Sequence, residues 1–132
     1  MTFEERFTKW LDESLAQGVP SSVQAFSFNL YEPAHVEGVK FSVELIGAGH
    51  FDKSAPDWAC DEVWQPIPRG IGIPLSFSGA SWRQCLNAVQ GQILAVLRSK
   101  STAAAVLAST QAIGVGFVDG DLNVIWPDQS IA

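Results

Sequence analysis

The sequence predicts an α+β domain, in which a mostly antiparallel sheet of about five strands carries helices packed on one face. Two strand-like patterns follow each other at residues 23–32 and 39–46, and two more lie close to the carboxyl end. Two capping-box sequences each precede apolar residues at helical spacing. With 47% apolar and 17% charged residues, we expect residues 1–132 to fold as a single globular domain.

The first element is an amphipathic helix. The Thr2 hydroxyl and the Glu5 carboxylate have the spacing that satisfies the first free backbone amides of a helix. Gly18 and Pro20 then end it. The apolar side chains that recur at helical spacing form one stripe, made of Phe3, Phe7, Trp10, Leu11 and Leu15.

Three alternating patterns predict the first strands. Residues 23–32 and 39–46 each place apolar side chains on one face, and a short turn-like segment joins them. They are most simply antiparallel neighbours. Residues 71–77 alternate again, but Pro74 has no N–H to donate to a ladder. We therefore expect this third strand at an edge of the sheet, or with a bulge.

The remaining elements are helical and then extended. Ser81 and Gln84 form a second capping box before a long apolar stripe, and the alanine-rich residues 102–109 predict two further helical turns. Residues 114–118 and 121–126 flank Asp119-Gly120. Asp-Gly between apolar alternations predicts a tight hairpin, in which both central residues need a positive φ.

Charge and composition narrow the function classes. The net charge is −6, and residues 1–62 contain eleven acidic against four basic side chains. Without a basic patch, nucleic acid is not the expected partner, and the acidic half favours a basic protein or plain solubility. No apolar run reaches the ~20 residues that a bilayer needs. The two cysteines form no disulfide framework and no signal segment is visible, so we expect a reduced, cytoplasmic protein.

Residues 50–70 are the most informative segment. They combine Asp57, Asp61 and Glu62 with Trp58 and Trp64, and no clean period runs through them. A long irregular run of this kind is uncommon in a compact domain unless it is functional. The two tryptophans either pin the loop onto the sheet or anchor a partner, and the three carboxylates would then steer a basic partner.

Catalytic and metal sites are the alternatives. A small enzyme or ligand-binding domain would use Asp57, Asp61, Glu62 and Cys60, with a tryptophan raising the pKa of one carboxyl. The acidic neighbours of Cys60 disfavour its thiolate, which weakens a nucleophilic role beside His50. Zinc ligation by the His and Cys residues lacks the paired spacings of structural sites. The sequence therefore predicts no catalytic residue, metal or cofactor.

The same segment carries a resemblance to a known group. Phe51-Asp52, then residues 57–62, then residues 64–66 resemble a motif of small bacterial proteins that are similar to the immunity proteins of polymorphic or contact-dependent toxin systems. The resemblance covers about fifteen positions. It implies a cytoplasmic, non-enzymatic protein that blocks a toxin domain through an acidic surface. Many such toxins are nucleases with basic clefts, which would suit the acidic half of this chain.

Overall fold

The computed structural model describes residues 1–127, which form one sheet of six strands and four helices. No helix in this range is long and apolar enough to cross a membrane. The strands are β1 (Ala25–Tyr31), β2 (Val39–Ala48), β3 (Glu62–Trp64), β4 (Gly70–Pro74), β5 (Ala112–Phe117) and β6 (Asn123–Trp126). The helices are α1 (Phe3–Leu15), α2 (Leu75–Ser78), α3 (Trp82–Arg98) and α4 (Thr102–Ala108), and a 3-10 helix spans Pro56–Cys60.

The sheet is mixed. Its order is β3-β2-β1-β5-β6, and β4 pairs with β2. Four of the pairings are antiparallel, whereas β1 and β5 run parallel in the register Phe28 to Val115. The α+β class is confirmed, but the sheet has six strands and one parallel pair. The parallel pair is possible because α3 and α4 lie between β4 and β5 in the chain, and parallel neighbours need such a long connection.

The two faces of the sheet bury different side chains. On one face, which we call the helix face, the sheet residues Phe28, Val43 and Val115 pack with the apolar stripes of α1, α3 and α4. The opposite face, which we call the loop face, carries a smaller cluster that contains Ala25 and Ile46. Within residues 1–127, no α-helix contributes to this second cluster, whereas the 3-10 helix contributes Trp58. The prediction that the helices pack on one face is thus confirmed.

Both predicted capping boxes are present. The Glu5 backbone N–H donates to the Thr2 hydroxyl at 3.1 Å, and the Gln84 backbone N–H donates to the Ser81 hydroxyl at 3.2 Å. These bonds satisfy amides that have no partner within the helix. They begin α1 and α3 at the residues that the sequence predicted.

Strands β3 and β4 share one edge of β2, and residues 65–69 leave the sheet between them. We call residues 65–69 the edge excursion. Helix α1 holds it, because the Trp10 indole N–H donates to the Pro68 carbonyl at 3.0 Å. The Gln17 amide oxygen accepts the backbone N–H of Ile67 at 3.0 Å, and its nitrogen donates to the Ile67 carbonyl at 2.6 Å. Residues 50–70 are therefore more regular than predicted.

Two predicted details of the strands are wrong. The third strand ends at Pro74, and residues 75–77, expected to extend it, turn into α2. Neither Asp119 nor Gly120 has a positive φ, so the tight Asp-Gly turn does not form. Residues 118–122 make a longer connection instead. Its main chain at Asp121 closely approaches Gly116, which places the connection over the loop face.

We predict that Gly116→Ala destabilises the protein by about 2 kcal/mol, because the added Cβ meets the Asp121 carbonyl oxygen and lies 3.0 Å from the Leu122 Cα. The matched control is Gly91→Ala in α3, where the added Cβ meets nothing within 4 Å. This control should stabilise the helix by about 1 kcal/mol. Urea unfolding measures both. Equal stability of the two variants would contradict the close approach of residues 118–122 to β5.

Candidate functional site

Trp58 lies on the loop face and is only 1% exposed. Its indole belongs to the cluster of Ala25, Ile46, Ala48 and Ala112, and its ring meets Phe51 edge-on at 5.2 Å and 75°. The alanines are small, which leaves room for a large ring on the strands. Trp58 therefore pins the loop onto the sheet, which is one of the two roles that the sequence left open for it.

Tight turns shape the chain on either side of Trp58. The Asp52 carboxylate accepts the backbone N–H and the hydroxyl of Ser54 at 2.9 and 2.8 Å. These bonds favour the charged form and lower the pKa of Asp52. The 3-10 helix then begins with Pro56, whose fixed φ suits a first helical position. The backbone N–H of Trp58 donates to the Ala55 carbonyl at 3.1 Å.

The exposed carboxylates of residues 50–61 are Asp52, Asp57 and Asp61, which we call the acidic rim. Asp57 precedes Trp58 in the 3-10 helix and points away from the buried cluster into solvent. Asp61 lies 3.0 Å from the His50 Nδ1, and both side chains remain about half exposed. In residues 50–61, the Trp58 side chain is thus buried against the sheet, and three carboxylates are exposed to solvent.

Glu62 forms an ion pair with Arg69 of the same chain. Its two oxygens lie 2.6 and 2.7 Å from the two terminal nitrogens of Arg69, and the Arg69 Nε lies 2.5 Å from Glu44. Arg69 also contacts the Gln65 amide oxygen. The bonds from Arg69 lower the pKa of Glu62, and those from the two carboxylates raise the pKa of Arg69. Glu62 therefore holds the edge excursion in place, a role that the sequence did not predict.

Trp64 is separated from Trp58 by the sheet. It is half-buried on the helix face, where its ring meets Phe26 edge-on at 6.0 Å and 77°. The structure therefore does not bring the two tryptophans into one exposed patch. Neither ring forms an exposed anchor in this conformation, and the partner-binding role of Trp58 and Trp64 stays a prediction.

Of the groups considered for catalysis, His50 and Asp61 are joined by a hydrogen bond. No hydrogen bond joins the Cys60 sulfur to the His50 ring, although both are exposed. Cys85 is buried in α3, and this burial raises the pKa of its thiol to about 12. Within residues 1–127, no three His, Cys, Asp or Glu side chains form a group that could hold a metal ion.

A concave site lies at the opposite end of the sheet from Trp58, where β1 and β5 have their carboxyl ends. It encloses about 980 Å³, and we call it the aromatic cleft. Crevices outside the carboxyl ends of parallel strands are common binding sites in open sheets. Its apolar lining is Phe41, Trp82, Leu86, Phe117 and Val118, and its polar lining is Tyr31, Glu32, Arg83, Asn87, Asp119, Asp121 and Asn123.

Three aromatic rings give the cleft its shape. Phe117 meets Phe41 edge-on at 5.4 Å and 78°, and meets Trp82 edge-on at 6.3 Å and 87°. Trp82 is 54% exposed, which is unusual for so large an apolar side chain. The Arg83 guanidinium lies 5.2 Å from the centre of the Trp82 ring, and the Lys40 ammonium lies 5.7 Å from that of Phe41.

The sequence did not reveal the cleft, because its residues come from three distant segments and each segment fits a core pattern on its own. Trp82 begins the apolar stripe that follows the second capping box, and helical spacing alone predicts that it faces the core, although the structure exposes it at the first helical position. One signal was available. Glu32 and Asp119 each follow an apolar strand pattern, so carboxylates were to be expected at the strand ends.

We predict that Trp58→Ala lowers the free energy of unfolding by about 3–5 kcal/mol, because it empties the centre of the loop-face cluster. Trp82→Ala is the matched control, since it removes the same side chain from an exposed position. It should cost about 1 kcal/mol or less. Chemical denaturation measures both variants. A loss of the same size in each would contradict the burial of Trp58.

The ion pair of Glu62 predicts a pH dependence of stability. The folded pKa lies below the ordinary value of 4.5, so the stabilisation is complete above that value and is lost as the pH falls through the folded pKa. Wild type should be more stable than Glu62→Gln at about pH 7, and this difference should shrink on acidification to about pH 3. Urea unfolding at both pH values tests it. A constant difference would contradict the pairing with Arg69.

Comparison with known proteins identifies no relative of this protein. No protein-family model, no curated protein and no solved structure matches the chain. Two sites of the protein can carry a function. One is the acidic rim, which Trp58 holds on the loop face, and the other is the aromatic cleft at the far end of the sheet.

Proposed function

We propose that this protein is a non-enzymatic domain that binds a basic protein partner through the acidic rim. The observation that carries the proposal is the burial of Trp58 in a segment whose carboxylates Asp57 and Asp61 are exposed. A loop that is fixed before binding loses little conformational entropy when it docks. The surface is thus preorganised, and Trp58 supports binding from inside the protein instead of contacting the partner.

The charge of the rim supports a basic partner. Arg69 pairs with both Glu62 and Glu44 and offsets one of their two negative charges. Within residues 1–127, Asp52 and Asp57 form no ion pair, and Asp61 pairs with His50. Complementary charge speeds the encounter of two proteins and makes it sensitive to salt.

The class of partner comes from the sequence resemblance of residues 51–66. Immunity proteins bind a toxin domain and block it without chemistry of their own. We propose that the partner is a bacterial toxin domain with a basic surface and that the complex forms in the cytoplasm. The predicted binding residues Asp57 and Asp61 belong to the rim, whereas Glu62 shapes the neighbouring edge of the sheet.

The enzymatic alternative has less support from the loop. A general acid in this segment needs a raised carboxyl pKa, whereas the shifts at Asp52 and Glu62 are both downward. The Trp58 ring packs against strand residues and therefore does not act as an apolar wall around Asp57. The ligand-binding alternative has one specific observation in its favour, which is the aromatic cleft.

We predict that the double variant Asp57→Asn/Asp61→Asn weakens partner binding by about tenfold at low salt, because two steering charges are removed. The matched control is Asp12→Asn/Glu13→Gln, which removes the same charge from the exposed side of α1. The measurement is capture of a partner from the source lysate, followed by titration of the purified partner at low and high salt.

The two variants separate docking at the rim from a general charge effect. Equal weakening by both would show that only net charge matters and would contradict the assignment to the rim. Binding that is unchanged in Asp57→Asn/Asp61→Asn at low salt would also overturn it. Unfolding curves of each variant verify that the fold is intact, since neither change removes a buried side chain.

A further inference from the structure

We propose that the aromatic cleft binds a small organic cation with a flat apolar body. This site is separate from the acidic rim, since the two lie at opposite ends of β1 and β2. The inference does not depend on the proposed protein partner. It follows from the size of the cleft, from the charge of its rim and from the way its rings present their faces.

The size and lining of the cleft suit a small molecule. Ligand sites in proteins enclose about 300–1,000 Å³ and combine apolar walls with a few polar groups, and this cleft of about 980 Å³ lies in that range. Trp82 and Val118, which are 54% and 63% exposed, leave apolar surface uncovered at its mouth. A flat apolar body that lies against Trp82 and Val118 would cover that surface.

The charge of the cleft selects a cation. Glu32, Asp119 and Asp121 line it, and none of the three forms an ion pair or a side-chain hydrogen bond with another residue in the range 1–127. Among the described residues, Arg83 is the basic side chain of the lining, and Lys40 lies nearby over Phe41. Three carboxylates against these two cations leave a net charge of −1, so the cleft attracts positive ligands and repels negative ones.

The rings give the cation a place to bind. Two basic side chains of the protein already lie over ring faces here, Arg83 over Trp82 and Lys40 over Phe41. Tryptophan provides the strongest attraction of this kind. The Arg83 side chain is exposed and has no carboxylate partner in the described part of the chain. A ligand ammonium can therefore replace it over the Trp82 ring.

The experiment titrates the full protein with benzyltrimethylammonium and, separately, with phenylmethanesulfonate. These probes have the same ring and opposite charges. Nuclear magnetic resonance follows the five tryptophan indole N–H signals, and Trp82→Phe assigns the signal of Trp82. We expect the cation to shift the Trp82 signal in a saturable manner and to leave the Trp58 signal unchanged. The anion should bind at least about threefold more weakly.

Two variants test the charges separately. Asp119→Asn/Asp121→Asn should weaken binding of the cation by about threefold or more, whereas Asp12→Asn/Glu13→Gln should leave it unchanged. Arg83→Gln should tighten binding of the cation by about twofold, because it frees the Trp82 face and removes a like charge. Arg83→Gln should instead weaken binding of an anionic ligand. Whether this variant raises or lowers the affinity for the cation therefore identifies the charge that the cleft selects.

Several results would overturn the proposal. They are no saturable shift at Trp82 with the cation, equal affinity for the two probes, and weaker binding of the cation in Arg83→Gln. The rim variant Asp57→Asn/Asp61→Asn should bind the cation as wild type does. Failure of the cleft proposal is therefore distinguishable from failure of the proposed function, which depends on the rim alone.

Discussion

The central strands must be covered on both faces, and the rest of the structure depends on this constraint. In β1, the side chains on either side of the sheet are buried, so helices on one face alone would leave Ala25 and its neighbours in water. The helix face is covered by α1, α3 and α4. None of the four α-helices of residues 1–127 covers the loop face, and the indole of Trp58, which the 3-10 helix carries, covers it instead, with Phe51 against its edge.

This arrangement gives the two ends of the sheet different properties. At the end near Ala48, the chain folds back over the strands and closes the face with a buried ring, while the carboxylates of the acidic rim remain exposed. At the end near Tyr31, the strands stop beside Trp82 and Phe117, and the rings there border an open cleft. The first end is suited to contact with a broad charged surface, and the second to enclosing a ligand.

Much of the fold could be predicted from the sequence, because capping boxes and alternating strands are local signals. The two capped helices and the first antiparallel pair form as expected. The parallel pairing of β1 with β5, the ion pairs of Arg69 and the cleft could not be predicted, since each depends on residues far apart in the chain. The composition of residues 50–70 indicated that Trp58 is important but left its role open. The sequence does not distinguish a tryptophan that is buried against the sheet from one that is exposed to a partner.

The most direct test of this account is how far a soluble gadolinium chelate relaxes the ring protons of each tryptophan, because that effect depends on the distance of the protons from solvent. The account predicts a weak effect at Trp58, which is 1% exposed, and a strong effect at Trp82, which is 54% exposed. An effect at Trp58 as strong as that at Trp82 would show that the loop face is open. It would remove the support that holds the acidic rim in place.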